Sequence, residues 1–351
     1  MVVQSLRPVF PFTALVGQEN LKLSLILNAI NPKVGGVLIR GAKGTGKSTA
    51  VRALVDLLPE IDVVRACPFS CNPTDVINMC NLCRSRLETG ETLPVEKRKM
   101  RVIDLPIGAT EDRVVGTLDI EKAIREGVKA LESGILAQAN QNILYVDEIN
   151  LLPDHIADII LDAAASGWSV IEREGISVQH PSRFILVGTM NPEEGELRPQ
   201  LLDRMALHVE VSSIYEKDQR VDIMRRNIEF EEDPLGFRNE FDNRQHEVLD
   251  RILKAKNILS KVETPYNLLD TIARMCIDLM VDGHRPDIII LKSSKTLAAF
   301  NERTEVIPDD VLTCSYLTLS HRTRNLGVDE PANTDQIRGS FERALRESET
   351  D

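Results

Sequence analysis

The chain has 351 residues, 42% of them hydrophobic and 27% charged, which is enough for about two soluble domains with ordinary cores. Acidic residues outnumber basic ones 54 to 42, the net charge is −12, and aromatics make up 4% with Trp168 the single tryptophan. A duplex-coating protein leans the other way in charge, and a base-stacking surface needs more rings, so nucleic acid is not expected as a partner.

No apolar run approaches the ~20 residues of a membrane span, and Arg7, Pro8 and Pro11 interrupt any apolar leader. The compartment expected is a reducing one: cytoplasm, or plastid stroma if the chain is a trimmed plant or algal form.

In chain order, the apolar run over residues 21–30 predicts a helix ending at Asn31-Pro32. Residues 36–40 then predict a short buried strand. Gly41-Ala42-Lys43-Gly44-Thr45-Gly46-Lys47-Ser48 follows and fits G-x-x-x-x-G-K-[ST], with a helix predicted from Thr49 over 49–58. Strand, glycine turn and helix start form the context a phosphate-binding loop needs. Glycines let backbone N–H groups turn toward an anion, and a helix N-terminus adds further N–H groups and the positive end of its dipole. Residues 41–49 are thus the candidate nucleotide-binding residues. Lys47 is placed on the β- and γ-phosphates and the Ser48 hydroxyl on Mg²⁺. The plain alternative is a glycine turn that happens to precede Lys-Ser.

Residues 61–66 predict a second strand. The segment 67–100 predicts an inserted loop with short helices and carries Cys67, Cys71, Cys80 and Cys83, spaced C-x3-C and C-x2-C. Two thiolates from each pair would make a tetrahedral zinc site; reduced thiols or a redox pair are the other readings. Cys276 and Cys314 fall in apolar helical patterns and are expected in the core.

Beyond residues 101–120 a helix is predicted over about 121–140, broken near Ser133-Gly134. Ile143-Leu144-Tyr145-Val146 then runs into Asp147-Glu148, the pattern of a buried parallel strand ending at the ligand edge of an α/β sheet. Asp147 is the candidate Mg²⁺ ligand and Glu148 the candidate general base for the attacking water. Two solvated acids closing a strand are the alternative.

A helix over 153–165 and a hairpin over 169–178 come next. The buried strand 184–191 ends in Asn191, a candidate for contact with the γ-phosphate or the water; an Asn closing a turn before Pro192 is the alternative. Arg204 lies near a short helix and is the candidate to reach a neighbouring copy's nucleotide, where a guanidinium would stabilise charge on the transferred phosphoryl group. A surface ion pair with Asp203 or Glu194 is the ordinary alternative. A strand about 209–214 and a helix about 216–227 follow.

The acidic stretch 229–236, ending in Pro234-Leu235-Gly236, predicts a boundary between domains at 1–228 and 229–351. The second part reads as a small helical bundle, with helical spacing over 268–280, a helix opening at Pro308 and a last helix over 334–347. Arg285 sits between two of its helices. It is a candidate to reach the phosphates, or else an exposed loop arginine. The fold class expected is α/β: a parallel sheet flanked by helices, with a smaller C-terminal helical lid.

The ordered set of phosphate loop, Asp-Glu strand, Asn-tipped strand, arginine and helical lid resembles the AAA+ ATPases. Longer strings narrow the match: Gly17-Gln18-Glu19, Ala109-Thr110-Glu111-Asp112-Arg113-Val114-Val115-Gly116, Leu144-Tyr145-Val146-Asp147-Glu148, Glu172-Arg173-Glu174-Gly175, Gly188-Thr189-Met190-Asn191-Pro192-Glu193-Glu194-Gly195-Glu196-Leu197-Arg198-Pro199-Gln200-Leu201-Leu202-Asp203-Arg204 and Gly283-His284-Arg285. Together they resemble the I subunits of magnesium chelatase over nearly the whole chain.

The resemblance implies an ATPase motor in a ring, usually hexameric, working with a D subunit and a porphyrin-binding H subunit to insert Mg²⁺ into protoporphyrin IX. It implies ATP and Mg²⁺ as cofactors and the hairpin and the insert at 101–120 as remodelling elements. It also implies that Asp147 and Glu148 are the Walker B pair, Asn191 sensor 1, Arg204 the arginine finger and Arg285 sensor 2. Met205-Ala206-Leu207 stands where the family usually has Phe-Gly-Leu, and Lys292-Ser293-Ser294-Lys295-Thr296 where it is richer in Ala and Arg. A MoxR-type remodelling ATPase, the motor of a cobalt chelatase and a monomeric P-loop kinase are the competing readings.

Overall fold

The computed structural model describes residues 8–119, 130–173, 176–320 and 333–348. The first described α-helix is α1 (Glu19–Ile30), followed by strand β1 (Val37–Gly41) and helix α2 (Lys47–Leu57). Strand β2 (Ile61–Val64), helix α3 (Asn81–Glu88), strands β3 (Val95–Arg98) and β4 (Val102–Leu105), helix α4 (Glu111–Val115) and strands β5 (Gly116–Asp119) and β6 (Ala130–Ser133) follow. Helix α5 (Ile135–Ala139) precedes β7 (Ile143–Val146), α6 (Asp154–Ser166), the strands β8 (Trp168–Arg173), β9 (Ile176–Pro181) and β10 (Ile185–Met190), α7 (Pro199–Arg204) and β11 (Leu207–Val211). Among the described residues after β11 the main elements are the helices α8 (Lys217–Glu232), α9 (Pro234–Ile258), α10 (Tyr266–Asp278), α11 (Arg285–Phe300), α12 (Pro308–Leu319) and α13 (Thr334–Ser348).

Five strands form a sheet in the order β11-β1-β10-β7-β4. Backbone packing divides the chain into two compact units, Met1–Leu57 with Asn191–Glu193 and Met205–Asp351, and Leu58–Met190 with Glu194–Arg204.

In the first unit β1 runs parallel to β11, Leu38 opposite His208. Val37, Leu38 and Ile39 are all fully buried, as a strand covered on both faces requires. Helix α2 turns Ala50, Val51, Ala53, Leu54 and Leu57 inward at helical spacing. Helix α9 brings Phe237 and Phe241 to Phe10, Ala14 and Phe230 in a separate aromatic cluster. The stretch 229–236 is helical on both sides of Asp233. Pro234 sits at the first position of α9, where a missing N–H costs nothing, and the Asp233 carboxylate accepts from Gly236 N–H at 2.9 Å.

In the second unit β7 is flanked by two parallel neighbours, Ile143 lying opposite Val102 of β4 and Ile185 of β10. All four residues of β7 and all six of β10 are buried. Residues 102–105, placed in an insert by sequence, therefore form a strand of the sheet. The hairpin expected at 169–178 is present as β8–β9, with Ile171 opposite Val178; its tip, 174–175, lies outside the described residues.

The helix expected over 121–140 is not what the described part of that segment adopts. Residues 120–129 lie outside the described residues, and 130–133 form β6, antiparallel to β5 with Gly116 opposite Ser133. Among the described residues of this segment, 135–139 are helical. Two glycines decide it. Gly116 has φ +113°, and a Cβ on Gly134 would run into the backbone of Gly116 and Val114.

Candidate nucleotide site

Within the first unit the phosphate loop lies between β1 and α2. Gly41 ends the strand where a Cβ would collide with the carbonyl oxygen of Val211 on β11, so only glycine allows that approach. Gly44 and Gly46 both hold φ +80°, the left-handed region that turns successive N–H groups to one side. The first helical bond of α2 runs from Ala50 N–H to Gly46 O at 3.0 Å, which leaves the N–H groups ahead of it outside the helical ladder.

Lys47 Nζ donates to Gly41 O at 2.5 Å and Ala42 O at 2.9 Å, so the ammonium lies over the loop. A phosphate oxyanion is a stronger acceptor than either carbonyl. Thr45 Oγ1 donates to Ala42 O at 2.9 Å, and Lys43, Ser48 and Thr49 are exposed. Inward backbone donors, an ammonium and a helix start fit a polyphosphate.

A residue not singled out by itself in the sequence steadies this loop. Gln18 Nε2 donates to Thr45 O at 3.0 Å. Gln18 and Gly17 are both left-handed, φ +55° and +63°, and this turn aims the Gln18 side chain from the start of α1. Beside it opens a cavity of about 370 Å³, lined by Glu19, Leu21, Val211, Ile214, Tyr215 and Gln219 among others. The residues that enclose it are far apart in sequence, so no local motif announces it.

In the second unit, the parallel register sets Gly188 of β10 opposite Val146 of β7. The next residue of each strand, Thr189 and Asp147, are then neighbours. Thr189 Oγ1 donates to Asp147 Oδ1 at 2.6 Å, Tyr145 OH donates to the same oxygen at 3.1 Å, and Glu148 N–H donates to Thr189 Oγ1 at 3.3 Å. Thr189 is fully buried, Asp147 exposed and Glu148 half-buried.

Glu148 also has φ +53°, a conformation that non-glycine residues hold only where their surroundings impose it. One hydroxyl thus fixes the carboxylate of Asp147 and the backbone of Glu148 together. An acceptor-only carboxylate held open at a strand end fits a hard divalent cation. The signal for Thr189 and Tyr145 was present in the two-residue period of each strand, which puts Tyr145 with Asp147 and Thr189 with Asn191 on common faces.

Asn191, in the first unit, is buried, and its Oδ1 accepts from Glu193 N–H at 3.3 Å. Arg204 ends α7 in the second unit and donates from Nη1 to Asp162 Oδ1 of α6 at 2.6 Å, a different acid from Asp203 and Glu194. Arg198 pairs with Asp154 at the start of α6. Arg285 is exposed and begins α11, in the first unit.

Residues 36–205 match the family model of the AAA domain (dynein-related subfamily), and residues 269–340 match that of the AAA lid domain. A magnesium-chelatase subunit ChlI homolog of Methanocaldococcus jannaschii is 57% identical over 92% of this chain and 88% of its own length. The magnesium-chelatase subunits ChlI of Chlorella vulgaris, 52% identical over 98% of this chain and 97% of theirs, and of Synechocystis, 50% over 97% and 95%, are also similar. Among solved structures, one of the complex between subunits BchI and BchD of magnesium chelatase, built on a cryo-EM reconstruction, aligns at TM-score 0.54 and 46% identity. It covers 95% of this chain and all of that one. A putative ATPase of Cytophaga hutchinsonii, at 18% identity and TM-score 0.59 over 95% and 90% of the two chains, shares the fold.

Proposed function

This chain belongs to the magnesium-chelatase I-subunit family of AAA ATPases, and on that footing we propose that it is the motor that couples ATP hydrolysis to insertion of Mg²⁺ into protoporphyrin IX by partner subunits. Kinship at 50–57% identity over nearly the whole chain is the observation that carries the proposal. The intact phosphate loop and the Thr189-braced acid pair support it.

In this reading the backbone N–H groups of 41–49 and the Lys47 ammonium bind the triphosphate, with the base lodged in the cavity beside Gln18. Ser48 and Asp147 would hold Mg²⁺, which would neutralise charge on the phosphates. Glu148 takes the proton of the attacking water, and Asn191 orients that water. Arg204, reaching a neighbouring copy, stabilises charge on the transferred group, and Arg285 contributes from the lid.

Two copies are needed for each reaction, hence a closed ring, which we take to be a hexamer, with D and H subunits as partners. We take 1–228 as the core and 229–351 as the lid. Among the described residues no helix is long and apolar enough to cross a membrane. We assign the activity to a reducing compartment, cytoplasm or stroma.

The test is reconstitution. The purified chain is mixed with D and H subunits of a chelatase, protoporphyrin IX, Mg²⁺ and ATP, and Mg-protoporphyrin fluorescence is followed. We expect product that depends on ATP and disappears with Lys47→Ala. ATP hydrolysis with no Mg-porphyrin formed would overturn the chelatase assignment and leave an ATPase, the outcome a MoxR-type remodeller predicts.

A further inference from the structure

We propose that Cys67, Cys71, Cys80 and Cys83 form a structural zinc site, a tetrathiolate that closes the loop between β2 and β3. The inference stands on the second unit alone and does not depend on the nucleotide reading.

The geometry is that of a mononuclear site. All four sulfurs lie within 4.8 Å of one another, and Cys67 Sγ and Cys80 Sγ are 3.8 Å apart. Zinc–sulfur bonds of ≈ 2.3 Å in a tetrahedron put the sulfurs about 3.8 Å apart along each edge. Pairwise disulfides would not require each sulfur to approach the other three, and all four cysteines are free. An iron–sulfur cube would hold the thiolates farther apart than one metal ion does.

The spacings C-x3-C and C-x2-C suit a ligand pair from a loop and a second pair at a helix start, and Cys80 immediately precedes α3. Cys80 N–H donates to Cys71 Sγ at 3.2 Å, the backbone contact that offsets thiolate charge. Binding would release four thiol protons to water and leave a site of net charge −2.

The surroundings explain why the loop needs such a tie. The cysteines converge inside a small apolar cluster of Val64, Phe69, Met79, Leu93 and Ala137, with Cys71, Cys80 and Cys83 buried and Cys67 partly exposed. Two non-glycine residues of this loop are left-handed, Ala66 at φ +62° and Ser70 at φ +49°. Conformations of that kind persist where the surrounding structure over-determines them. The loop is also sewn to the approach of β7: Asn140 Nδ2 donates to Phe69 O at 2.8 Å and Gln141 Nε2 to Ser70 O at 2.7 Å. Phe69 stacks on His180 of β9 with ring centroids 4.8 Å apart. A metal at the cysteines therefore steadies the residues that lead into the strand bearing Asp147 and Glu148.

The experiment is metal analysis of the full chain purified under reducing conditions without chelator, followed by Co²⁺ exchange. We expect one zinc per chain, released by a mercurial thiol reagent. The Co²⁺ form should show sulfur-to-cobalt charge transfer and the visible bands of a tetrahedral site. Cys71→Ser and Cys80→Ser should each lower zinc retained after dialysis about tenfold or more, while Cys276→Ser and Cys314→Ser retain it. The Co²⁺ spectrum of the unmutated chain decides the matter even if the cysteine variants do not fold. A folded, reduced chain that carries no zinc and takes up no Co²⁺ in tetrahedral form would overturn the proposal. So would an iron chromophore, or the mass loss of two disulfides.

Discussion

Thr189 is the residue on which the acid pair turns. Its hydroxyl donates to Asp147 and accepts from the backbone of Glu148, and it is fully buried, so no water replaces it when it is lost. Thr189→Val keeps the shape of the side chain and removes both bonds. We expect the ATPase kcat to fall about tenfold to a hundredfold, with Thr189→Ser recovering most of it; each lost buried hydrogen bond is worth about 1–3 kcal/mol. An unchanged kcat in Thr189→Val would show that Asp147 and Glu148 hold their places without it.

A second residue reports on the fold. His208 of β11 is buried, with Nδ1 3.3 Å from Ser320 Oγ. Burial, and then the nearby Arg40 guanidinium, push its pKa down from 6.5 to about 4. The unfolded chain therefore takes up a proton before the folded one does. Stability from this group is complete above pH about 6.5 and declines as pH falls toward about 4. On the order of 2 kcal/mol should be lost between about pH 7 and pH 5. Urea midpoints across that range, compared with those of His208→Asn, measure it. An equal slope in the variant would contradict the assignment.

At the scale of elements, what was legible in the sequence follows how each element is stabilised. The strands carrying the site are continuous apolar runs ending in polar residues, and β1, β7 and β10 lie where 36–40, 143–146 and 184–191 predicted them. The glycine loop was legible because its glycines have a local purpose. Pairings between distant segments were not. Residues 130–133 carry a mixed pattern that suits a helix as well as a strand, and β6 exists because Gly116 and Gly134 let two backbones meet. Gln18 carries no motif of its own, since its bond to Thr45 depends on where α1 packs. Asn142, whose Nδ2 donates to Gln138 O and Asn140 O and whose Oδ1 accepts from Arg101 N–H, was likewise invisible.

Asp310, 2% exposed, accepts two bonds from Arg303 at 2.7 and 2.6 Å and one from Ile307 N–H at 3.0 Å, which ties the start of α12 to the end of the preceding loop. Asp310→Ala leaves a guanidinium and an N–H without their acceptor at the start of α12. We expect a loss of about 3–5 kcal/mol in urea unfolding, against well under half of that for Glu302→Ala, which removes the exposed Lys254–Glu302 pair. Equal losses in the two variants would remove Asp310 from its role.

For the molecule as a whole, the proposed arginine of the neighbouring site, Arg204, is held in the single chain by Asp162. An arginine that acts on a neighbour must leave such an intramolecular partner. Both groups are well exposed, 38% for Arg204 and 72% for Asp162, so the pair is weak enough to exchange. In the ring proposed here, assembly and hydrolysis would be one property: a subunit would carry the nucleotide loop for its own junction and the arginine for the next.

The most direct test mixes two inactive chains. On the proposed roles, Lys47→Ala should lose the triphosphate but still present Arg204, and Arg204→Ala should bind nucleotide but lack the guanidinium. Specific ATPase activity is measured for each variant alone, for their mixture, and for the unmutated chain on serial dilution. The account predicts two inactive variants, partial recovery on mixing, and activity per chain that falls as assemblies dissociate. Full activity in Arg204→Ala alone, or activity per chain that is constant at any dilution, would contradict it.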